Sequence, residues 1–213
     1  MSGGLVLAVD SATKNNVSYW IGRDAPCGRI EDMAWDKFSL PDGADPDAVV
    51  HARLLEREPL VDRATDIDIE QQNPTTAMPA EMAERVGRRV LLAGNVRSHA
   101  LARAIKAAIV ARRRALGLPM PNIRFVSPRT KFSTFGLECP KTKPERKRSA
   151  VKFVRASLES GGDAAAPWLR RFETHFVDER TGKPKLDDAA DARMMGMARL
   201  VRRRAGLDKI KTQ

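Results

Sequence analysis

Four acidic residues, at three distant places in the chain, have the type and spacing that could hold metal ions. Asp10 closes the apolar run LVLAVD, Glu70 closes the segment DIDIE, and Asp188 and Asp191 lie within KLDDAADA. Carboxylates that meet in one cleft repel each other unless cations neutralise them, and Mg²⁺ prefers such oxygen ligands. Since the chain carries a formal net charge of +11, acidic metal ligands in so basic a protein suggest a nuclease.

The acidic residues of KLDDAADA have the spacing of ligands on one helix. Residues 187–204 begin with acidic side chains and end with arginines, and both complement the dipole of a helix. Residues three apart on a helix share a face, so Asp188 and Asp191 project together, whereas Asp187 points about a quarter turn away. Of these two neighbouring residues, Asp188 is therefore the first choice as a metal ligand and Asp187 the second.

Each acidic residue also has a structural interpretation when it is taken singly. Asp10 could accept hydrogen bonds from turn amides, and Glu70 could be the last solvated position of a half-exposed strand. Asp187 and Asp188 could cap a helix. A shared metal site explains the three segments together.

The composition favours a nucleic-acid partner and a single domain. The 213 residues are 42% hydrophobic and 31% charged, with 38 Lys and Arg against 27 Asp and Glu. Such a chain can bury one core, and its positive charge favours polyanionic partners. Cys27 and Cys139 lack the spacing of a zinc site or a disulfide framework. The sequence shows no signal peptide or membrane span, which predicts a soluble, intracellular protein of the cytoplasm or nucleoid, or of the host cell if viral, and not a secreted one.

The hydrophobic pattern predicts an α/β order of elements that would position the acidic residues. Strands are predicted at residues 4–10, 17–23, about 28–38, 65–73 and 122–128, and helices at 48–58, 79–116, 146–159, 164–176 and 187–204. The first three strands are joined by tight turns, which suggests an antiparallel meander. The stretch 129–148 is predicted to be loop-like. We expect one domain over 1–213, with a basic loop and helix insertion at about 129–160 and a basic tail at about 202–213.

Three motifs in this order resemble those of a known family. LAVDSATKNN, DIDIEQQN and KLDDAADA are similar to the three acidic motifs of RuvC-type Holliday junction resolvases, especially the poxviral and fungal mitochondrial branch of the ribonuclease H-like superfamily. The resemblance implies a ribonuclease H-like fold, with a five-stranded mixed sheet of three antiparallel strands plus two parallel ones, flanked by helices. The first strand would be central and the fourth would lie beside it. Ala12 stands where this family usually carries a glycine.

The resemblance also implies an activity and a site. Asp10, Glu70, Asp188 and Asp191 would be catalytic and would hold two Mg²⁺ ions, with Mn²⁺ as a substitute and Asp187 as a further metal ligand. The implied reaction is hydrolysis of four-way DNA junctions during recombination and repair, which leaves 5′-phosphate and 3′-hydroxyl ends. Paired symmetric nicks need a homodimer whose symmetry matches the junction, and the long helix 79–116 is the predicted dimer contact.

A second group of residues is predicted to contact DNA phosphates rather than bases. These residues are Lys14, Lys141, Lys143, Arg146, Lys147, Arg148 and Lys152, joined by Arg155 on the same basic strip. By resemblance, Lys147 or Arg148 could assist catalysis near the phosphate. Phe132 and Phe135 are candidates for insertion at a junction or for packing. Taken singly, each basic residue could also belong to a solvated charged face.

Three other functions remain open from the sequence. The first is another ribonuclease H-like nuclease that acts on RNA–DNA hybrids or processes branched DNA. The second is an actin-like or sugar-kinase phosphotransferase, because LAVDSATK also resembles a phosphate motif of that group, although its glycine-rich second motif and its length are missing. The third is a non-catalytic nucleic-acid-binding protein in which the carboxylates are structural.

Overall fold

A five-stranded mixed sheet forms the centre of the molecule. The computed structural model describes residues 4–12, 16–41, 43–71, 75–77, 91–93, 96–177, 182 and 184–207. The strands are β1 (Leu5–Ala12), β2 (Asn16–Asp24), β3 (Ile30–Ser39), β4 (Ala64–Glu70), β5 (Thr75–Ala77), β6 (Leu91–Ala93) and β7 (Asn122–Val126). The main sheet has the order β3-β2-β1-β4-β7, in which β1, β2 and β3 are antiparallel and β4 and β7 run parallel to β1. The predicted sheet is confirmed.

Helices cover both faces of this sheet. They are α1 (Pro46–Val50), α2 (Val96–Ala115), α3 (Pro128–Thr134), α4 (Lys143–Glu159), α5 (Ala166–Thr174) and α6 (Asp187–Arg204). Side chains of α1 and α2 pack with Leu7 and Val9 on one face, and those of α4, α5 and α6 pack with Val6 and Ala8 on the other. Because both faces are covered, β1 reads in the sequence as a continuous apolar run. None of the described helices is long and apolar enough to cross a membrane.

Helix α6 lies unusually close to the sheet at Gly196. A Cβ atom added there would come within 2.1 Å of the Trp20 ring and 3.1 Å of the Ala8 Cβ, so a larger residue would push the helix away. The Trp35 indole fixes the first turn of α6, because its Nε1 donates a hydrogen bond to the Ala189 carbonyl at 3.1 Å. Close packing therefore sets the position of the helix that carries Asp188.

Buried arginines of α6 attach the helix to the sheet by charge as well. Arg199 and Arg203 both donate hydrogen bonds to Asp66 of β4. Arg193 binds Asp32 of β3 through two hydrogen bonds of 2.7 and 2.9 Å. Arg193 and Arg199 are each at most 3% exposed, so loss of either acidic partner would leave an uncompensated buried charge.

The predicted long helix at 79–116 is wrong in its first part. Leu91–Ala93 form β6, which pairs antiparallel with β5, and helix α2 begins only at Val96. Residues 78–90 lie outside the described part of the chain. A short apolar run fits a strand and a helix equally well by periodicity, and the sequence therefore did not separate β6 from α2.

The predicted loop at 129–148 is also partly wrong. Residues Pro128–Thr134 form helix α3, which begins after Ser127, whose side chain accepts a hydrogen bond from the Arg129 amide. Helix α4 starts earlier than predicted, at a capping box formed by Thr142 and Glu145. An N-cap followed by a proline favours a helix start, and both helices carry this signal.

The remaining predicted helices agree more closely with the structure. The final helix has the predicted bounds, Asp187–Arg204. The predicted helix at 48–58 is shorter, because α1 passes at residue 51 into a π-helical turn, His51–Leu55, before Pro59. Of the predicted tail at 202–213, residues 202–204 belong to α6, and residues 208–213 lie outside the described residues.

Candidate metal centre

Three of the predicted carboxylates meet at one point. Asp10 of β1, Glu70 of β4 and Asp191 of α6 each offer an oxygen, and these oxygens lie within 4.8 Å of one another. Asp10 is 3% exposed and Glu70 is 8% exposed, and the Asp191 side chain is 14% exposed. Three distant segments thus form one largely buried acidic cluster, as the sequence predicted.

The strand register explains why the cluster forms. Val9 of β1 is paired with Ile69 of the parallel strand β4, so Asp10 and Glu70 follow side by side at the same end of the sheet. Side chains alternate along a strand, which places Asp10 on the face of Ala8 and Glu70 on the face of Asp66. Helix α6 covers this face, and Asp191 extends from it toward both strands.

Asp188 lies at the margin of the acidic cluster. It is 5% exposed. Its Oδ1 atom accepts a hydrogen bond from the Lys147 ammonium at 3.2 Å, and its Oδ2 atom forms an ion pair with Lys185 at 3.1 Å. Asp188 is still close enough to contribute to the raised pKa of Asp10. Asp187 is less buried and binds the Lys147 ammonium, so it lies further from the cluster than Asp188 does.

An internal cation, Lys131, lies among the three clustered carboxylates. Its ammonium is 2.6 Å from an Asp191 oxygen and 3.2 Å from a Glu70 oxygen, and the residue is 3% exposed. Lys131 was not among the predicted site residues, because a lysine is ordinarily exposed. The available signal was its position just after β7, whose end adjoins that of β4.

Burial and mutual repulsion disturb the protonation of the cluster. Burial, followed by the charges of Glu70, Asp191 and Asp188, raises the pKa of Asp10 well above its usual value. Burial also raises the pKa of Asp191, to about 6, although Lys131 opposes this rise. Burial alone would lower the pKa of Lys131, but the surrounding carboxylates raise it above its usual value. With all three carboxylates ionised, the cluster would carry more negative charge than its one lysine neutralises, and the raised pKa values reflect this repulsion.

The cluster fits a divalent cation. Two oxygens bound to one Mg²⁺ at about 2.1 Å lie at most about 4.2 Å apart, which is close to the observed spacing within 4.8 Å. The Asp10 Oδ1 atom is buried and has no hydrogen-bond partner among the described residues. A buried carboxylate oxygen that accepts no hydrogen bond can instead bind a metal ion. A hard cation would also relieve the repulsion between carboxylates that raises the pKa of Asp10.

The three carboxylates of β4 have different partners. Asp66, Asp68 and Glu70 lie on one face of the strand. Asp66 binds arginines of α6, Asp68 binds Arg124 of β7 at 3.0 Å, and Glu70 binds Lys131. The segment DIDIE therefore combines two structural ion pairs with one member of the acidic cluster.

The predicted DNA-contacting residues fall into separate groups. Arg148 and Lys152 are exposed on α4, and Lys141 and Lys143 are exposed where that helix begins. Lys147 lies at the margin of the acidic cluster rather than on an open surface, because it binds both Asp187 and Asp188.

Of the other two predicted basic residues, the structure describes only Arg146. Arg146 donates hydrogen bonds to the carbonyls of Pro140 and Lys141 and so braces the loop before α4. Lys14 lies outside the described residues.

The two phenylalanines proposed for insertion have packing roles. Phe132 is fully buried in the core. Phe135 packs against Phe153 of α4 with ring centroids 4.5 Å apart. Of the two alternatives that the sequence left open, packing is therefore the one observed for Phe132, because α3 turns this side chain toward α6 and the sheet.

Lys131→Met is expected to destabilise the metal-free protein by about 3 kcal/mol, because a buried charge cluster loses its internal counterion. Ca²⁺ is expected to raise the stability of the variant more than that of the unchanged protein, since a cation then replaces the missing ammonium. Urea unfolding in EDTA and in Ca²⁺ measures both effects. Lys152→Met, at an exposed lysine of α4, is the control. Equal stability of Lys131→Met and the unchanged protein in EDTA would contradict the role of Lys131 as counterion.

Comparison with known proteins identifies the fold. No protein-family model matches the sequence, and no curated protein matches it. Among solved structures, the yeast mitochondrial Holliday junction resolvase Ydc2 is similar with a TM-score of 0.56 and 16% identity, over 95% of this chain and 81% of that one. RuvC of Thermus thermophilus is similar with a TM-score of 0.53 and 15% identity, over 95% of this chain and 96% of that one.

A third similar structure contains DNA. It is T. thermophilus RuvC in complex with a Holliday junction substrate, with a TM-score of 0.51 and 13% identity, over 95% of this chain and 96% of that one. At these identities the likeness shows the fold. The chain therefore has the ribonuclease H-like α/β fold of RuvC-type resolvases, as its motifs predicted.

Proposed function

We propose that this protein is a metal-dependent endonuclease that resolves four-way DNA junctions by paired symmetric nicks. The observation that carries the proposal is the meeting of Asp10, Glu70 and Asp191 within 4.8 Å, in a fold shared with resolvases of yeast mitochondria and Thermus thermophilus. A fold alone does not define an activity. The support comes from the acidic cluster and from the basic surface beside it.

Each residue of the centre has a role in the proposed hydrolysis. Asp10, Glu70 and Asp191 would hold the divalent cations, two Mg²⁺ ions in our proposal, and Asp188 would complete their coordination. Cations held there would supply activation of water and stabilisation of the leaving oxygen in phosphodiester hydrolysis, which would leave 5′-phosphate and 3′-hydroxyl ends. Lys131, whose ammonium contacts Asp191 and Glu70, would place a positive charge beside the substrate phosphate.

Basic residues next to the centre would hold the DNA backbone. Lys147 links the two regions, because its ammonium binds Asp188 at 3.2 Å and its helix also carries the exposed Arg148 and Lys152. Phosphate contacts of this kind position DNA without reading its sequence. This arrangement suits a substrate that is recognised by its branched shape.

The proposed enzyme acts as a homodimer, because a four-way junction has approximate two-fold symmetry. Helix α2 is the proposed contact, in place of the longer helix predicted from the sequence. Its exposed Ala107 and Ala111, with the exposed Leu116 just after its end, line a groove of about 560 Å³ against α1 and His51. Sedimentation of the protein with junction DNA tests this contact, and a stable monomer on the junction would count against it.

A cleavage assay on three substrates tests the proposed function. Synthetic four-way junctions, linear duplexes and RNA–DNA hybrids of equal length are incubated with Mg²⁺, and with Ca²⁺ as a non-catalytic control. We expect paired nicks in the junction alone, with ends that ligase can reseal. Preferential cleavage of the hybrid would instead indicate a ribonuclease H-like processing enzyme, and no cleavage in Mg²⁺ or Mn²⁺ would indicate a binding protein.

Asp188→Asn is expected to slow junction nicking by about a hundredfold, and Asp187→Asn by less than about tenfold. Asp188 is the more deeply buried of the two, and its charge raises the pKa of Asp10. Asp187 instead binds the ammonium of Lys147. Single-turnover rates at saturating enzyme measure both variants. The reverse order of effects would make Asp187 the main ligand.

A further inference from the structure

A groove runs along helix α4, beginning at the ion pair of Lys147 and Asp187. It has a volume of about 550 Å³ and lies between α4 and a wall formed by Pro184, Leu186 and Asp187, at the start of α6. Lys147 and Asp187 form its inner end, and both belong to the ion-pair network of Asp188. The groove is therefore continuous with the surroundings of the candidate metal centre.

The charged residues of the groove form one stripe. Arg148, Lys152 and Arg155 are four and three residues apart, which places them on the same side of α4. At 1.5 Å per residue, the stripe extends about 10 Å. Arg155 is held in place by Glu173 of α5 at 3.3 Å, and Glu159 closes the outer end of the groove. The positively charged stripe is therefore about as long as a few consecutive nucleotide phosphates, and it ends at the negative charge of Glu159.

The rest of the groove surface is largely apolar. Val151 and Ala156 of α4 and Leu186 of the opposite wall line it, with Pro184 at its rim. Contact with duplex phosphates alone would leave this apolar surface in water, because the backbone of a duplex is its outermost part. An unpaired nucleotide presents a sugar and a base face beside each phosphate, and so fits both surfaces.

We propose that this groove binds a single DNA strand, unpaired at the branch point, next to the metal centre. Arg148, Lys152 and Arg155 hold its phosphates, and Val151, Ala156 and Leu186 contact its sugars and bases. The inference rests on the proposed function, and it adds the form of DNA that the site selects. None of the described residues of the groove lining is aromatic, and the phosphate contacts that hold the strand carry no sequence information, so binding is independent of base identity.

Filling the groove without changing its charge is the sharpest test. Ala156 is exposed on α4, so Ala156→Phe adds bulk inside the groove and leaves every cation in place. We expect its affinity for a fluorescent oligothymidylate to fall by about tenfold, the loss of one good base contact, with affinity for a linear duplex within about twofold of the unchanged protein. Fluorescence anisotropy in Ca²⁺ measures both without cleavage.

A charge-matched pair of variants supplies the second arm. Arg148→Glu lies in the groove, and Arg114→Glu makes the same change at an exposed arginine of α2. We expect Arg148→Glu to weaken oligothymidylate binding more than Arg114→Glu does. Equal losses for the two variants, equal loss of duplex and single strand in Ala156→Phe, or displacement of the oligonucleotide by a polyglutamate peptide at equal charge would each overturn the proposal. Because these assays need no nicking, the groove proposal and the proposed activity fail separately.

Discussion

Asp10→Asn is expected to reduce Mg²⁺-dependent nicking of a four-way junction by about a thousandfold. The change keeps the shape of a side chain that is 3% exposed and removes the charge of one proposed metal ligand. Metal ions contribute several kcal/mol to such a transition state, and about 4 kcal/mol corresponds to this factor. Single-turnover nicking rates, with junction affinity measured in Ca²⁺, separate the loss of chemistry from any loss of binding.

The same variant has a second expected effect, on stability. Burial and neighbouring carboxylates raise the pKa of Asp10 well above its usual value, so its charge opposes folding when no metal is bound. Asp10→Asn is therefore expected to be more stable than the unchanged protein in EDTA. Asp163→Asn, at an exposed aspartate, is the control. If Asp10→Asn nicked the junction at the normal rate, the proposed metal centre would have no role in the mechanism.

Asp66→Ala is expected to lower the free energy of unfolding by about 3–5 kcal/mol, because Arg199 and Arg203 lose their shared partner and Arg199 is a buried charge. Arg199 is 2% exposed. Urea unfolding at neutral pH measures the loss. Asp62→Ala is the matched control, since it breaks the partly exposed pair of Asp62 with Arg112 and should cost about 1 kcal/mol or less.

The pH dependence of unfolding gives an independent check on Asp66. Burial raises the pKa of Asp66, but the hydrogen bonds and charges of Arg199 and Arg203 outweigh burial and lower it below the usual value. A carboxyl group with a lowered pKa stabilises the fold at neutral pH, and this contribution is lost as the pH falls below about 4. Asp66→Ala should therefore lose less stability on acidification than the unchanged protein, and an equal loss would contradict the pairing.

The sequence predicted the acidic cluster because its members follow regular patterns. Asp10 closes an apolar run and Glu70 closes a segment of alternating acidic and apolar residues, and both patterns can be read from the sequence. Asp191 follows from helical spacing within a segment that also carries strong end signals. The central place of β1, with β4 beside it, followed from resemblance to a family fold, and the structure confirms it.

Residues whose surroundings depend on tertiary packing could not be predicted in the same way. Lys131 and Phe132 are adjacent and both buried, yet their segment KFSTF has no pattern that separates a buried lysine from an exposed one. Helix α3 was missed for a related reason, since the basic composition of the stretch after β7 outweighed the capping signal at Ser127. The partners of Asp188 depend on where α4 crosses α6, which no local signal records.

Helix α6 carries acidic residues of the site near its start and the arginines that attach it to the sheet further along. Each residue added to a helix rotates everything beyond it by about 100° and shifts it by about 1.5 Å. One inserted or deleted residue between Asp191 and Arg193 would therefore turn either the carboxylates or the arginines away from their partners. The number of residues that separates the two groups is therefore constrained.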